Sequence, residues 1–425
     1  MDTIFAVSSG APPAAIAIIR VSGPAAFTAS AALAGPMPQA RKAALRVLRD
    51  AAGAVLDRAL VLAFPGPNSA TGEDIVELHV HGGRAVIRAV ETALAIQSGL
   101  RAAEPGEFTR RALLSGRIDL TEAEGLGDLL SAETETQRRA AVMMAEGGLR
   151  RLADGWTGQV VNLAAAVEAA IDFSDEDDVP PAHIAAIAAG ARGMAGEMAA
   201  MLATPPVERL RDGLRVVIAG PPNSGKSTLL NAMAEREAAI VSPISGTTRD
   251  RIEVPIARDG IAYVFTDTAG LADASDDPIE RIGIERAGEA IRGADILLWL
   301  GDDAAPKGAI WVYPRADMGE RAGGGEDRDV AISARNGSGL PDLWAAIAAR
   351  AATLLPPADA VALNQRQRQL IDEARGWLMR AADETDTLLI AEQLRVAMRA
   401  LHQLTGRSDV EAMLDALFSR FCIGK

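Results

Sequence analysis

The stretch Gly220-Pro-Pro-Asn-Ser-Gly-Lys-Ser227 has the spacing of a phosphate-binding loop, G-x-x-x-x-G-K-S. In such a loop the backbone N–H groups surround the phosphates, the lysine places a charge near the β- and γ-phosphate oxygens, and the serine hydroxyl binds Mg²⁺. Lys226 is one of only four lysines among 43 basic residues, so lysine stands here in a chain that otherwise uses arginine. The apolar run Leu214–Ala219 predicts a buried strand, and Ser227–Met233 predicts a helix whose N-terminus faces the anion. The stretch therefore predicts an α/β P-loop domain.

Two further motifs follow the loop in the order typical of a GTPase. Ser245-Gly-Thr-Thr-Arg-Asp250 offers hydroxyl groups for Mg²⁺ and the γ-phosphate. A predicted strand around Tyr263–Phe265 leads into Asp267-Thr-Ala-Gly270, where Asp267 can hold the metal through water and Gly270 can bring its N–H to the γ-phosphate. Each motif is weak alone, and it is their order and spacing that indicate a GTPase rather than an ATPase.

Two positions narrow the type of catalysis. Many GTPases follow this second motif with a glutamine that orients the attacking water, whereas this chain has Leu271, which cannot do so. Asn223 lies inside the phosphate loop, and its side-chain oxygen can hold a monovalent cation near the phosphates. A loop residue that bonds its own backbone is the alternative interpretation of Asn223.

Further short motifs occur along the rest of the chain. They are Asp2-Thr-Ile4, Ile18-Ile-Arg-Val-Ser-Gly23, Pro67–Asp74, Glu77–Gly83, Pro105–Arg111, Gly116–Glu124, Ala169–Phe173, Glu280–Arg286 and Phe421–Lys425. With these motifs the sequence resembles the MnmE (TrmE) family of tRNA-modifying GTPases over nearly its full length. The resemblance implies an N-terminal domain that binds folate and dimerises, a split helical domain and an inserted G domain.

The pattern along the chain predicts the same multidomain organisation. It consists of an α+β N-terminal domain (residues 1–115), a first helical part (116–212), an α/β P-loop GTPase domain (213–357) and a second helical part (358–425), so that the GTPase domain is inserted into a split all-α domain. Predicted strands in the first domain are Thr3–Val7, Ala15–Val21, Ala59–Phe64 and Asp74–Val80, with a helix at Ala85–Ile96. In the GTPase domain, only about eight residues separate Ile296–Leu300 from Ala309–Tyr313, which leaves no room for a helix between these strands.

The base-recognition motif of the family is Asn-Lys-x-Asp, and this chain has Pro314-Arg-Ala-Asp317 in its place. Asp317 can pair with the guanine N1–H and amine, and the stem of Arg315 can cover the face of the base. Pro314 has neither a side-chain amide nor an N–H, so guanine selectivity is expected to be looser. Ser333-Ala-Arg335 fits the loop whose backbone N–H meets the guanine O6.

The resemblance also assigns roles to individual residues. For nucleotide binding these are Asn223, Ser224, Gly225, Lys226, Ser227, Thr228, Thr247, Thr248, Asp267, Thr268, Gly270, Asp317, Ser333, Ala334 and Arg335. It implies Mg²⁺ ligands at Ser227 and Thr248, K⁺ ligands at Asn223, Ser242, Ile244 and Thr247, a catalytic Glu280, and a tetrahydrofolate site at Arg20, Glu77, Arg117 and Lys425. A carboxylate that merely begins a helix is the alternative for Glu280, and Cys422 is either a packed side chain or a reactive thiol.

Composition sets limits on location and partners. The chain has 425 residues, a formal charge of −14 and a single cysteine, which excludes an internal disulfide and makes the reducing cytoplasm the simplest expectation. No apolar run approaches the ~20 residues of a membrane span, and the opening residues lack the basic region of a signal peptide. The negative charge disfavours independent binding of nucleic acid, so a tRNA substrate requires a local basic face or a partner protein.

The sequence thus predicts a homodimeric, K⁺-dependent GTPase. With an FAD-containing partner of the MnmG type, in an expected heterotetramer, it would add a carboxymethylaminomethyl-type group to C5 of the wobble uridine of certain tRNAs. One alternative is a ribosome-assembly or signalling GTPase that binds no folate. Another is a scaffold with an inactive G domain, against which the set Lys226, Ser227, Thr248 and Asp267 argues.

Overall fold

The computed structural model describes residues 2–172, 181–236, 253–268, 288–318, 328–357 and 359–408, and also residues 414, 417, 418, 421 and 424. The chain divides into two compact units. The first comprises Met1–Gly127, Met144–Ala165 and Arg395–Lys425, and the second comprises Asp128–Met143 and Ala166–Leu394. The predicted domain boundaries after residues 115, 212 and 357 stay predictions. Within the described ranges, no helix is long and apolar enough to cross a membrane.

A six-stranded sheet forms the core of the first unit. Its strands are β1 (Thr3–Val7), β2 (Ile16–Ser22), β3 (Ala44–Arg49), β4 (Val55–Phe64), β5 (Ile75–His81) and β6 (Leu100–Ala102). Their order in the sheet is β3-β4-β5-β2-β1-β6. Neighbouring strands are antiparallel, except for the parallel pair β1 and β6.

One face of this sheet is covered by α1 (Ala26–Ala34) and α2 (Arg84–Ala95). Side chains alternate between the two faces along a strand. Every second residue therefore enters the core beneath these helices, as Ile19 of β2 and Leu78 of β5 do.

The opposite face is partly covered by α3 (Glu107–Leu114), whose Phe108 packs in a small apolar cluster with Ala6 of β1. Ala6 pairs with Arg20 of β2, and Arg20 pairs in turn with Glu77 of β5. The antiparallel register thus places Arg20 and Glu77 side by side on the face that α3 only partly covers.

An ion-pair network anchors this third helix. Glu107 accepts hydrogen bonds from Arg101 at 2.5 Å and from Arg111 at 2.9 Å, and Arg111 also donates to Asp2 and Glu73. The side chains of Glu107 and Arg111 are only 10% and 12% exposed. Burial raises the pKa of Glu107, but the hydrogen bonds from Arg101, from a backbone N–H and from Arg111 outweigh burial and hold this pKa below its ordinary value.

Five helices follow where the sequence predicts helical structure from Leu120 to about Leu210. They are α4 (Leu120–Ser131), α5 (Glu135–Ala145), α6 (Gly148–Asp172), α7 (Pro181–Leu202) and α8 (Glu208–Arg211). The start of α4 is fixed by a reciprocal cap: the Glu122 N–H donates to Asp119 Oδ1 at 2.8 Å, and the Asp119 N–H donates to Glu122 Oε2 at 2.7 Å.

The second unit contains a mostly parallel sheet of six strands. They are β7 (Leu214–Ala219), β8 (Glu253–Arg258), β9 (Ile261–Asp267), β10 (Ile296–Trp299), β11 (Ile310–Tyr313) and β12 (Val330–Ala331), in the order β12-β11-β10-β7-β9-β8. Only the hairpin pair β8 and β9 is antiparallel. The helices α9 (Lys226–Arg236) and α10 (Leu340–Leu354) pack on one face, in a core with Val216, Leu298 and Val312.

Aromatic side chains lie on the other face of β10 and β11. Residues 300–309 connect these parallel strands without a helix, as the sequence predicts. Trp311 and Tyr313 point away from the α9 and α10 side by strand alternation. The guanidinium of Arg328 lies 5.0 Å from the ring centroid of Trp311 and 4.5 Å from that of Tyr313. A parallel sheet normally has helices on both faces, and on this face of β11 an arginine stacked on two rings covers part of the surface.

Two long helices follow this domain, α11 (Gln365–Asp383) and α12 (Thr387–Thr405). A capping box begins α11: the Gln367 N–H donates to Asn364 Oδ1 at 2.9 Å, and the Asn364 N–H donates to Gln367 Oε1 at 3.1 Å. Along its length, α11 packs against α7.

The chain returns to the first unit at Arg395, within α12. Leu414, Phe418 and Phe421 form one apolar cluster with Leu120. Two glycines, Gly106 and Gly424, lie very close to the backbone of residues distant in the sequence. A Cβ at Gly106 would lie 2.8 Å from the Phe418 carbonyl oxygen, and one at Gly424 would collide with the Val7 carbonyl. Gly424 also has φ +99°, a conformation that favours glycine.

We expect Glu107→Gln to lower the free energy of unfolding by about 1–2 kcal/mol at neutral pH, because an ionised acceptor of two arginine hydrogen bonds is lost. The pKa of Glu107 is depressed in the folded chain, so its contribution is present above the ordinary pKa and disappears as pH falls through the lowered one. The difference between wild type and variant in denaturant midpoint should therefore be smaller at about pH 3 than at about pH 7, with the change beginning below the ordinary pKa of 4.5.

Glu135→Gln is the matched control, since Glu135 also accepts from two arginines, Arg138 and Arg139, but is half exposed. Its midpoint should stay close to wild type at both pH values. A loss at Glu107 that is equal at both pH values would contradict the ionic explanation.

Candidate nucleotide and small-molecule sites

The phosphate loop is curled around the ammonium group of its lysine. Lys226 is buried, and its Nζ donates to the carbonyls of Gly220 at 3.1 Å and Pro221 at 3.0 Å. Gly220 has φ +152°, and a Cβ there would come within 3.1 Å of the Leu300 carbonyl carbon and of Ser224 Oγ. Helix α9 begins at Lys226, so the loop lies at a helix N-terminus, which favours bound anions.

A hydroxyl and a carboxylate lie together beside this loop. Ser227 Oγ donates to Asp267 Oδ2 at 2.5 Å, which joins the first turn of α9 to the end of β9. Thr268 continues from β9 and is held by its hydroxyl, which donates to the Ile218 carbonyl at 2.9 Å. A hydroxyl and a carboxylate are oxygen donors of the kind that Mg²⁺ prefers, so this pair fits a magnesium ion.

A cavity of about 230 Å³ opens between the phosphate loop and the ends of β11 and β12. Three separate segments line it: Gly225, Thr228 and Leu229; Pro314, Arg315, Asp317 and Met318; and Ile332, Ala334 and Arg335. The hydrogen bond from the Ser333 hydroxyl lowers the pKa of Asp317, with a further contribution from the charge of Arg335. Asp317 is thus ionised at neutral pH, as an acceptor for guanine N–H groups must be.

A second cavity, of about 440 Å³, lies within the first unit. It is lined by Ser8, Arg20, Ser69, Ala70, Thr71, Phe108, Thr109, Ala112, Arg117, Ile118 and Leu126. Two of the four residues predicted to bind folate, Arg20 and Arg117, therefore line the same cavity. Glu77 is held against Arg20, whose Nε and Nη2 both donate to Glu77 Oε1, at 3.1 and 2.9 Å.

The surroundings of Glu77 and Arg20 fix both side chains. The other carboxylate oxygen, Glu77 Oε2, lies 3.3 Å from His79 Nε2. The Arg20 guanidinium lies 5.7 Å from the ring centroid of Phe108. At one side of the cavity, Gly424 packs against Val7 and Ser8, and Ser8 is itself a lining residue.

Comparison with known proteins identifies the family. A family model described as MnmE helical domain matches residues 120–422, and one described as GTP-binding protein TrmE N-terminus matches residues 3–117. The tRNA modification GTPase MnmE of Rhizorhabdus wittichii is 54% identical over 435 residues, covering 100% of this chain and 97% of the relative. The chain belongs to the MnmE family. The MnmE proteins of Erythrobacter litoralis (54% over 429 residues) and Methylobacterium sp. strain 4-46 (52% over 435 residues) each match over 100% of both chains. As a member of the MnmE family, the chain is a GTP hydrolase that acts in tRNA modification.

Several residues to which the MnmE resemblance assigns roles lie outside the described residues. They are Ser242, Ile244, Thr247, Thr248, Gly270, Glu280, Cys422 and Lys425, and Leu271 lies outside them as well. Their roles stay predictions.

Sequence reasoning missed some features of both sites. The motif Pro105–Arg111 indicates the family, but it does not indicate that its Phe108 lines a cavity. Ser8 and Thr71 give no signal in the sequence beyond lying in or near family motifs. Nothing in the sequence indicates that Arg315 Nη2 donates to the Asn223 carbonyl of the phosphate loop, at 2.5 Å.

We expect Lys226→Ala to weaken binding of GTP and GDP by about 10- to 150-fold, which is the range for one lost hydrogen bond to a charged group. Lys42→Ala and Lys307→Ala are matched controls, since both lysines are exposed and lie outside the loop. Titration with a fluorescent GDP analogue measures the three dissociation constants. Equal affinity in Lys226→Ala and wild type would mean that the phosphate loop does not bind the nucleotide.

Proposed function

We propose that this MnmE-family GTPase depends on K⁺, binds a tetrahydrofolate derivative in its first unit, and works with an FAD-containing partner of the MnmG type. Together they install a carboxymethylaminomethyl-type group at C5 of the wobble uridine of certain tRNAs. The observation that carries the proposal is the second cavity, since a GTPase that acts only as a switch has no use for an arginine-lined pocket beside its N-terminal sheet.

The chemistry of the second cavity supports folate as its ligand. A folate has a carboxylate tail, which suits an arginine such as Arg117, and a pterin edge with N–H donors, which suits a carboxylate such as Glu77, held in place by Arg20. Phe108 and Leu126 supply apolar surface for a flat ring. The volume of about 440 Å³ is typical of small-molecule pockets.

The tail supports a role for Lys425 at the same place. Lys425 follows Gly424 directly in the sequence. Gly424 packs against Val7 and Ser8 at the side of the cavity. Lysine is rare in this chain, and an ammonium group here would add a third cation for a ligand that carries carboxylates.

The phosphate loop supports a cation-assisted mechanism. Asn223 is exposed within the loop, and asparagine tolerates its left-handed backbone at φ +59°. We propose that its side-chain oxygen, with Ser242, Ile244 and Thr247, binds K⁺, and that Glu280 positions the water that Leu271 cannot. Bound Mg²⁺ supplies charge neutralisation at the β- and γ-phosphates, and Ser227 and Asp267 would hold it, with Thr248 as a further ligand.

A partner protein and a second copy complete the proposal. Hydrolysis of GTP provides conformational change but transfers no carbon unit, so we assign the chemistry at the uridine carbon to the one-carbon unit of the folate and to the FAD of a partner protein. The formal charge of −14 also favours a partner or a second copy to help hold tRNA. We propose a homodimer in the cytoplasm as the active form.

We expect GTP hydrolysis to be at least ten times faster in KCl than in NaCl of equal ionic strength, because a cation at the β/γ bridge can offset charge that an arginine finger otherwise neutralises, a role worth 10³-fold or more. Asn223→Ala should lose this response to K⁺. Turnover numbers in the two salts decide the matter, and identical rates in wild type would refute K⁺ dependence.

We expect deletion of Gly424-Lys425 to weaken binding of 5-formyl-tetrahydrofolate by about 1–3 kcal/mol, the range for a charged hydrogen bond, with GTP hydrolysis unchanged. Lys425→Gln separates loss of the charge from loss of the docked glycine, and Lys307→Gln is the control for charge alone. Calorimetric titration measures each affinity. If the wild type binds no folate, the signalling or ribosome-assembly alternative gains, whereas equal affinities in all variants would make the tail a packing element only.

A further inference from the structure

Some arginines of this chain are neutralised by a carboxylate and others are not. The adjacent pair Arg138 and Arg139 is neutralised, since both side chains contact Glu135, at 2.7 and 2.8 Å. Arg150 is likewise held by Glu122, at 2.9 Å. Arginines in such ion pairs offer little free charge to a polyanion. They therefore do not form the local basic face that a chain of formal charge −14 needs in order to hold RNA.

A second group of arginines is exposed at one end of the sheet in the first unit. We call them the sheet-end arginines: Arg49 ends β3, Arg58 lies in the first half of β4, and Arg84 and Arg88 lie in the first two turns of α2. Arg49 donates to the Gly53 carbonyl at 2.9 Å, which does not neutralise its charge. The other three have no hydrogen-bond or ion-pair partner among the residues that the structure describes.

The strand pairing brings the sheet-end arginines to the same end of the sheet. Asp57 Oδ1 lies 2.7 Å from His81 Nδ1, so the start of β4 lies beside the end of β5. Arg58 follows Asp57 directly, and Arg84 begins α2 three residues after His81. Arg49 ends β3, which pairs with β4 through a short hairpin. The four guanidinium groups thus come from three elements that meet at one place.

The acidic side chains nearby are engaged by other groups. Asp57 is bonded to His81, and its side chain is only 9% exposed. Asp50 accepts two backbone N–H groups of its own hairpin turn, at 2.9 and 2.8 Å. Glu91, one turn beyond Arg88, is half-buried, and burial raises its pKa. The arginines are therefore the charged groups that this end of the sheet presents to solvent.

We propose that the sheet-end arginines bind the phosphate backbone of the tRNA on which the chain acts. A guanidinium presents several N–H donors in a planar fork that matches two phosphate oxygens, so exposed and unpaired arginines suit a phosphate backbone. A negative chain repels RNA as a whole, and binding must then come from a local group of cations. Such contacts hold the RNA in place without reading its sequence.

The position of this surface relates it to the second cavity. His81 lies four residues after Glu77 on β5, so both side chains point to the same face of the sheet, about 13 Å apart. One consequence rests on the proposed function: if the second cavity binds folate, RNA phosphates at the sheet-end arginines lie close to the carrier of the one-carbon unit.

The first test measures the salt dependence of RNA binding. The triple variant Arg58→Gln, Arg84→Gln and Arg88→Gln should bind a fluorescent tRNA transcript about tenfold more weakly or worse at 100 mM KCl. The slope of log affinity against log salt should fall in magnitude by about 2–3, because each lost phosphate contact contributes about 0.7–0.9. Fluorescence anisotropy between 50 and 200 mM KCl gives both quantities for the full-length chain.

A second triple variant removes the same charge elsewhere and is the matched control. Lys307→Gln, Arg350→Gln and Arg399→Gln change three exposed cations that have no described partner and lie outside the first two turns of α2 and the sheet end. Its tRNA affinity should stay within about twofold of wild type, with the same salt slope. An equal loss in the two triple variants would show a general charge effect and overturn the proposal, as would wild-type chain that binds no tRNA at 50 mM KCl.

A third triple variant separates charge from structure. Arg58→Lys, Arg84→Lys and Arg88→Lys keeps the three charges and should bind tRNA within about threefold of wild type. All the variants should unfold at the wild-type temperature and hydrolyse GTP at the wild-type rate, because the three side chains are exposed and far along the chain from the phosphate loop. Wild-type tRNA affinity in the glutamine variant, with lost binding to an FAD-containing partner, would make this surface a protein interface and overturn the proposal.

Discussion

The parallel direction of the strands is the constraint on which the second unit depends. Because parallel strands end at the same edge of a sheet, the segments that follow them meet there, however far apart they lie in the sequence. The phosphate loop follows β7, Asp267 ends β9, and the turn of Arg315 and Asp317 follows β11. No direct pairing between these segments is required to bring them together. The hydrogen bond from Ser227 to Asp267 and the shared lining of the base cavity both result from this geometry.

The first unit assembles its cavity by a different principle. Here an antiparallel register, rather than a shared edge, places Arg20 beside Glu77 although they are 57 positions apart. A one-residue slip of β2 against β5 would move Arg20 to the face covered by α1 and α2. The apolar residues on that buried face, such as Ile19 and Leu78, resist such a slip. Packing on one face of the sheet thus secures the polar pair on the other.

The strands that the sequence predicts best are those whose apolar residues are buried. Observed β1 and β7 have the predicted bounds, because nearly every residue of each is buried. β3 is not predicted, since its Leu45 and Val47 are exposed while Arg46 is half-buried, the reverse of the usual pattern. β6 has three residues, too few for a periodic signal. The short connection between β10 and β11 predicts by its length alone that no helix lies between them. The stacking of Arg328 on Trp311 and Tyr313 is not predictable from the sequence.

At the two candidate sites, the spacing of motifs in the sequence predicts which residues come together. A strained backbone conformation is not predictable from the sequence. The G-x-x-x-x-G-K-S frame determines how the chain folds around Lys226, and the order of later motifs brings Asp317, Ala334 and Arg335 to one cavity. The bond from Arg315 to Asn223 depends on a left-handed arginine, a conformation that the residue type argues against. The network around Glu107 is equally hidden, because its members are spread over the first unit and each is a common surface residue type.

The packing of Phe418, Phe421 and Gly424 in the first unit also has a consequence for synthesis on the ribosome. The sheet of β1 to β6 is complete once about the first hundred residues have emerged, but these three residues reach Leu120 and Val7 only some 300 residues later. At translation rates of about 5–20 residues per second, that interval is roughly 15–60 s. During this time Leu120 and the surface near Val7 lack their final cover. A nascent chain therefore exposes an apolar patch beside the second cavity until late in its synthesis, which makes this patch a natural point of contact for chaperones.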